Sequence, residues 1–249
     1  MRTETLELSK QKKTTLILCV LFPVAINIML CISLKYRYES YLLPRIDVYG
    51  ISRWQLIFKE QTILYFSEIC HIIAGALVFE SFNSEMKNNS WMLIATSEYR
   101  RKVVISKFTA VAFDLLVIFI SDYVTLTAAG IITGVKDPWD AGLFFKGFFI
   151  QLSSACMYAA FYIFLVAFTK KLSWVLPSSI AFMLLDITMY YGKGFNYRFN
   201  YFIPSLYVSH NSLSTWTEAS VITGFSAVSV LVLLFISGRM LRKNCDIRS

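Results

Sequence analysis

Charge is scarce in this chain, and that scarcity sets the first limit. Only 16% of the 249 residues are charged, 56% are hydrophobic, and the mean hydropathy is +0.56. Soluble domains carry about 25% charge, so the composition points to a chain that uses lipid as part of its solvent. Cysteine is sparse and unpatterned. Cys19, Cys31, Cys70, Cys156 and Cys245 show no C-x-x-C spacing, and four lie in or beside apolar runs. That argues against a disulfide framework or a zinc knuckle and leaves them as small buried hydrophobes. Catalytic signatures are missing as well. There is no G-x-x-x-x-G-K-[ST], so the chain has no phosphate loop of its own, and no H-E-x-x-H or G-x-S-x-G. It has two histidines in all. Asp122 and Asp186 fall in different apolar runs with no glycine-rich motif around either, which argues against an intramembrane aspartyl protease. No fixed-period repeat and no low-complexity tract is present.

What the chain does have is long apolar runs. Six are expected to cross about 30 Å of hydrocarbon: residues 14–34, 57–79, 103–131, 144–168, 172–191 and 218–238. The first follows a basic, amphipathic segment, 1–13, that serves as a positive-inside anchor or as an interfacial helix. It is too long for a signal-peptide core and no small-x-small site follows it, so it reads as a retained span. Pro23 and Asn27 inside it require neighbouring helices to satisfy the freed polar groups. The second run is the least apolar and contains Lys59, Glu60, Glu68 and His71. The third exceeds the bilayer thickness, so its first turns, including Lys107, are expected to stand in the cytoplasm. Residues 192–217 are aromatic and interrupted by Pro204, the profile of an extracytoplasmic interfacial or re-entrant segment.

Six crossings place both ends on one side. If that side is cytoplasmic it receives 15 of the 24 Lys and Arg residues, and the other side nine. The positive-inside rule therefore favours both termini in the cytoplasm. The net charge of +8 reflects this orientation and not nucleic-acid binding. The fold class expected is an all-α membrane protein forming one transmembrane domain over 1–249.

Ionisable residues inside spans are costly and carry two readings. Glu68 and His71, three apart, share a helix face and form either a polar or proton-sensitive lining or a helix–helix hydrogen bond that fixes packing. Asp114, Asp122 and Asp186 carry the same alternatives. Asp186 lies near the outer end of its span and is placed to reach the interface. No metal site is expected.

The longest polar interruption on the basic side is 79–107. It holds a short apolar run at Trp91, Met92 and Leu93, flanked by Asn88-Asn89-Ser90 and by Arg100-Arg101-Lys102. A plain connection needs no tryptophan at its centre, whereas a docking element does.

Two stretches carry a resemblance to the permease subunits of type-2 ABC exporters, in the lantibiotic-immunity, bacitracin-resistance and toxin-peptide branch. Residues 6–14, LELSKQKKT, followed by an apolar run with Pro23, look like that branch's opening. Glu85, Trp91, Leu93, Arg100 or Arg101, and Ser106-Lys107 look like its coupling region. Ser90 stands where threonine is commoner, and Glu98-Tyr99 replaces a usual proline.

The resemblance implies a permease dimer, of identical or sister chains, seated on separately encoded ATPase subunits that bind ATP and magnesium. This chain would bind no cofactor. Residues 80–102 would be a coupling segment, with Trp91, Met92 and Leu93 in the ATPase groove. Glu80, Glu85, Arg100, Arg101 and Lys107 would supply polar contacts around them. The expected role is export of amphipathic peptides across a bacterial plasma membrane. A same-class permease for a lipid, ion or small drug, and a structural or sensory membrane protein without transport, remain alternatives.

Overall fold

A computed structural model describes residues 13–37, 39–40, 43–61, 69–87, 100–191 and 215–243. Helix is the only regular secondary structure among them. The helices are α1 (Lys13–Arg37), α2 (Leu43–Tyr49), α3 (Arg53–Gln61), α4 (Cys70–Lys87), α5 (Arg100–Ile132), α6 (Ala141–Thr169), α7 (Val175–Tyr191) and α8 (Trp216–Lys243). A single 3₁₀ turn, Leu172–Trp174, leads into α7.

Four of them, α1, α5, α6 and α8, are long and apolar enough to cross a membrane. Their outer faces expose contiguous large apolar side chains, among them Ile17, Leu21 and Met29 on α1 and Val228, Leu231 and Phe235 on α8. Water does not tolerate apolar faces of this extent on an isolated protein, and a multi-pass, membrane-embedded chain is the arrangement they fit.

The local signals that start the helices are explicit. Ser52 and Gln55 form a reciprocal capping box ahead of α3: the Ser52 N–H donates to Gln55 Oε1 at 2.8 Å and the Gln55 N–H donates to Ser52 Oγ at 3.1 Å. Thr215 and Glu218 repeat the device at α8. Asp140 caps α6, its Oδ1 accepting the Leu143 N–H at 3.0 Å. At the other end of α6, Lys170 takes the left-handed conformation (φ 56°) and donates its N–H to the Val166 carbonyl, closing the helix before the turn into α7.

Contacts between helices define two ends of the bundle. At one, Arg37 pairs with Glu60, Arg53 and Trp54 bond to Asp137, and Lys146 lies over the Trp216 ring. This end gathers the finish of α1 and α5 and the start of α3, α6 and α8. At the other, Lys107 bonds to Ser81, and Arg101 packs on Gly238 and Phe235. It gathers the last turns of α4 and α8 and the first turns of α5.

The run expected as a second span, 57–79, takes part in two described helices, α3 and α4. Helix α3 occupies 53–61 and descends from the first end. Its Trp54 lies under Gly130 near the finish of α5, and its Gln61 reaches Asp122, about 12 Å back along that helix at 1.5 Å per residue. Helix α4 begins only at Cys70, beside Tyr158 and Tyr162 of α6, and continues to Lys87 at the opposite end. Residues 62–68 between them lie outside the described residues. The side chains of α3 are surrounded by protein. Trp54, Leu56, Ile57, Phe58 and Gln61 are all buried.

Small residues permit this packing. Gly130 and Gly147 leave room for the Trp54 and Phe58 rings, and Gly75 brings α4 against Ser179 of α7. The last expected span, 218–238, lies within α8, and 144–168 lies within α6. The fifth, 172–191, comprises the 3₁₀ turn and α7, whose apolar stretch is shorter than a full crossing helix.

Candidate functional site

Two polar regions emerge from this packing. The first is the end built by α4, α5 and α8. Helix α4 runs on to Lys87 and α5 starts at Arg100, so both helices bracketing residues 88–99 extend through the polar sequence on either side. Lys107, in the first turns of α5 that are expected to stand in the cytoplasm, is 2% exposed, with Nζ donating to the Ser81 carbonyl at 2.6 Å and lying 5.8 Å from the Phe82 ring centroid. A lysine there ties α4 to α5 one helical turn or two before both reach the polar segment, its apolar stem buried and its charge spent on a backbone oxygen. Arg101 is exposed, yet its stem lies on Gly238 and its guanidinium 5.8 Å from the Phe235 centroid. Glu80 is also exposed. Glu85 and Arg100 lie on α4 and α5, with side chains outside the described set, and Trp91, Met92 and Leu93 fall outside the described residues.

The second region is inside the bundle. Asp122 is wholly buried on α5. Asn27 Nδ2 of α1 donates to Asp122 Oδ1 at 2.9 Å and to Thr125 Oγ1 at 2.7 Å. Gln61 Nε2 of α3 donates to both Asp122 carboxyl oxygens at 2.8 Å. Three helices therefore meet on one carboxyl group. Next to it, Tyr123 Oη donates to Gln151 Oε1 of α6 at 2.9 Å.

The remaining candidates separate. His71 is buried on α4, its Nδ1 3.0 Å from Tyr162 Oη and its ring stacked 3.7 Å from that of Tyr158. This is the helix–helix hydrogen bond of the two readings. Glu68, its expected partner, lies outside the described residues. Asp114 is buried about two turns along α5 from Asp122. Asp186 lies on α7, with its side chain outside the described set. Among the described residues no group of three or more His, Cys, Asp or Glu converges in the manner of a metal site. Cys19, Cys31, Cys70 and Cys156 are not joined in disulfides.

Sequence reading singled out Asp122 and Asn27 and missed two further neutral partners. Gln61 and Thr125 drew no notice because neutral polar residues are common near helix ends. The signal lay in the pairing of Asn27 with an aspartate on another span, and only packing makes such a pairing visible.

A groove of about 410 Å³ opens on the outer face of α5 and α6 at the end where α3 enters. Its lining includes Tyr123, Trp139, Phe144, Phe145 and Phe148. The aromatic residues of the 192–217 segment, among them Phe195, Tyr197, Phe199, Tyr201, Phe202 and Tyr207, lie outside the described residues.

No family model and no curated protein matches this chain.

Proposed function

We propose that this chain is the membrane-spanning permease subunit of an ATP-driven exporter of the type-2 ABC class. It moves amphipathic peptides of the lantibiotic or toxin type out of the membrane or cell. The observation that carries this reading is the bracket around residues 88–99. Helices α4 and α5 lead into that segment from both sides, are tied to each other by Lys107 and Ser81, and reach back into the buried bundle. A segment so mounted transmits force, because displacing it moves two packed helices and not a slack loop. Trp91, Met92 and Leu93 supply the apolar centre and Glu85, Arg100 and Arg101 the polar rim that a docked interface uses. ATP and magnesium belong to a separate ATPase bound there, and a second permease copy or sister chain completes the translocation unit.

In the same reading the chain crosses a bacterial plasma membrane six times with both termini inside. The second crossing is shared by α3 and α4, and the fifth is made by 172–191. The end holding Arg101 and Lys107 faces the cytoplasm, in line with the surplus of basic residues on that side. The aromatic groove on α5 and α6 then faces the outer half of the bilayer, where an amphipathic peptide is handed over.

Two experiments test this. In a cysteine-free background, Asn88→Cys and Lys170→Cys should react with a membrane-impermeant maleimide only after the membrane is opened. Lys136→Cys should react in intact cells. The reverse pattern sinks the orientation. Co-purification with a candidate ATPase subunit tests coupling. The pair Trp91→Ala and Arg101→Ala should lower nucleotide turnover at least about tenfold, equivalent to roughly 1.4 kcal/mol of transition-state stabilisation, or break the complex. A bound ATPase unaffected by the pair would remove the coupling assignment.

A further inference from the structure

Asp122 makes a demand on the fold that the transport reading does not use. Its side chain is fully buried, about 15 Å along α5 from the end of that helix, at membrane depth. Its partners are dipoles. The Asn27 and Gln61 amides donate three bonds to its two oxygens, and no Lys, Arg or His among the described residues bonds to it. An ionised carboxylate without a counter-ion costs several kcal/mol in such a place, and the usual relief is to take up a proton.

The second observation concerns the other half of each amide. Asn27 Oδ1 and Gln61 Oε1 are buried acceptors without a donor. Both residues are almost completely sequestered, at 2% and 1% exposure. An amide offers NH₂ on one edge and C=O on the other, and rotation by half a turn exchanges them. With NH₂ turned inward, the pair solvates an ionised Asp122. With the Gln61 amide reversed, Oε1 takes the position 2.8 Å from the carboxyl oxygens and accepts the O–H of the protonated acid. The same side chains therefore serve both charge states without moving a helix. A fixed structural ion pair has no use for that property, whereas a group that exchanges a proton does.

We infer that Asp122, with Asn27, Gln61 and Thr125 around it, is a proton-binding site at the junction of α1, α3 and α5. The proton comes from and returns to water, and the carboxyl group alone carries it. The surrounding ionisable groups leave this role to Asp122. On α5, Tyr123 is engaged by Gln151 of α6, and Asp114 lies about two turns away. On α3, Glu60 is held by Arg37 of α1, 3.5 Å away, and the Lys59 side chain lies outside the described set. On α1 the ionisable groups within the bundle are the thiols Cys19 and Cys31. On α6 the charged residue is Lys146, near its first turn and over Trp216. The inference does not depend on the transport reading, since it concerns the charge state of one side chain.

Infrared difference spectroscopy of the full chain in nanodiscs, in light and heavy water, reads this directly. A protonated-carboxyl band should be present at neutral pH and should disappear on alkaline titration. Asp122→Asn should abolish it and Asp114→Asn should leave it. Absence of the band, a band that never titrates, or a band lost only in Asp114→Asn overturns the proposal. So does a band that sodium or potassium removes at constant pH, which would make the occupant a metal cation. If Asp122→Asn does not fold, Gln61→Leu decides: loss of the acceptor should shift the band, and an unshifted band rejects the site.

Discussion

Trp54→Ala is expected to destabilise the protein by about 2–4 kcal/mol, the range of a large cavity plus a lost hydrogen bond. Trp54 is 3% exposed. Its indole N–H donates to the Asp137 carbonyl at 3.0 Å, and its ring meets the edge of Phe144 with centroids 5.6 Å apart. The same ring fills the space over Gly130. Part of the usual cost in water-soluble proteins is transfer of the side chain from water, and that part is weaker where the unfolded reference is also in lipid. Lost dispersion contacts remain, because nothing of the right shape replaces the ring. Trp54→Phe should retain most of the packing and lose the hydrogen bond alone, costing about 1 kcal/mol. Thermal unfolding in detergent, followed by a thiol-reactive dye at the buried Cys19 and Cys70, separates the two. Alanine should lower the midpoint by roughly 5–10 °C. A melting curve matching the wild type would mean that α3 does not anchor the bundle.

Gly147→Val should cost about 3 kcal/mol, at the upper end of ordinary overpacking. A side chain at this position meets the Phe58 ring, with Cε2 at 2.9 Å from the first carbon, and Tyr123 Oη at 2.7 Å. Neither neighbour gives way freely. Phe58 is packed edge-on against Tyr123 and Phe144 at 5.9 and 6.1 Å, and Tyr123 Oη is bound to Gln151. Valine therefore pushes α3 out of the bundle or forces the rings from their rotamers. Phe58→Ala opens a cavity in the same place, so the two changes should compensate. A double-mutant cycle should return a coupling of at least about 1 kcal/mol. Additivity within a few tenths would show that α3 and α6 do not touch at Gly147.

Both predictions rest on a helix that periodicity alone does not isolate. Hydropathy merges residues 57–79 into one span because Leu56, Ile57 and Phe58 are as apolar as any crossing helix. A cue to its start was present in Ser52-x-x-Gln55, a capping pair that announces a helix starting at Arg53. The start of α8 was equally legible in Thr215-x-x-Glu218. The coupling candidates Trp91, Met92 and Leu93 came from composition and resemblance. The burial of Lys107 against Ser81 was not legible in the sequence, because it depends on α4 lying alongside, a fact of tertiary packing.

By itself the sequence determined that the described chain is helical and that long apolar stretches at 14–34, 103–131, 144–168 and 218–238 form helices able to span a bilayer. These follow from a local quantity, the run of apolar side chains needed to pass hydrocarbon. Tertiary structure alone decided that 53–61 and 70–87 are separate helices. It also decided that Gly130 and Gly147 are vacancies for aromatic rings, and that Asn27, Gln61 and Asp122 share one buried site. Those outcomes depend on which faces meet between positions as far as 95 residues apart in the chain. Helical propensity and hydropathy describe each segment against lipid, and neither contains the shape of the neighbour that a segment packs against.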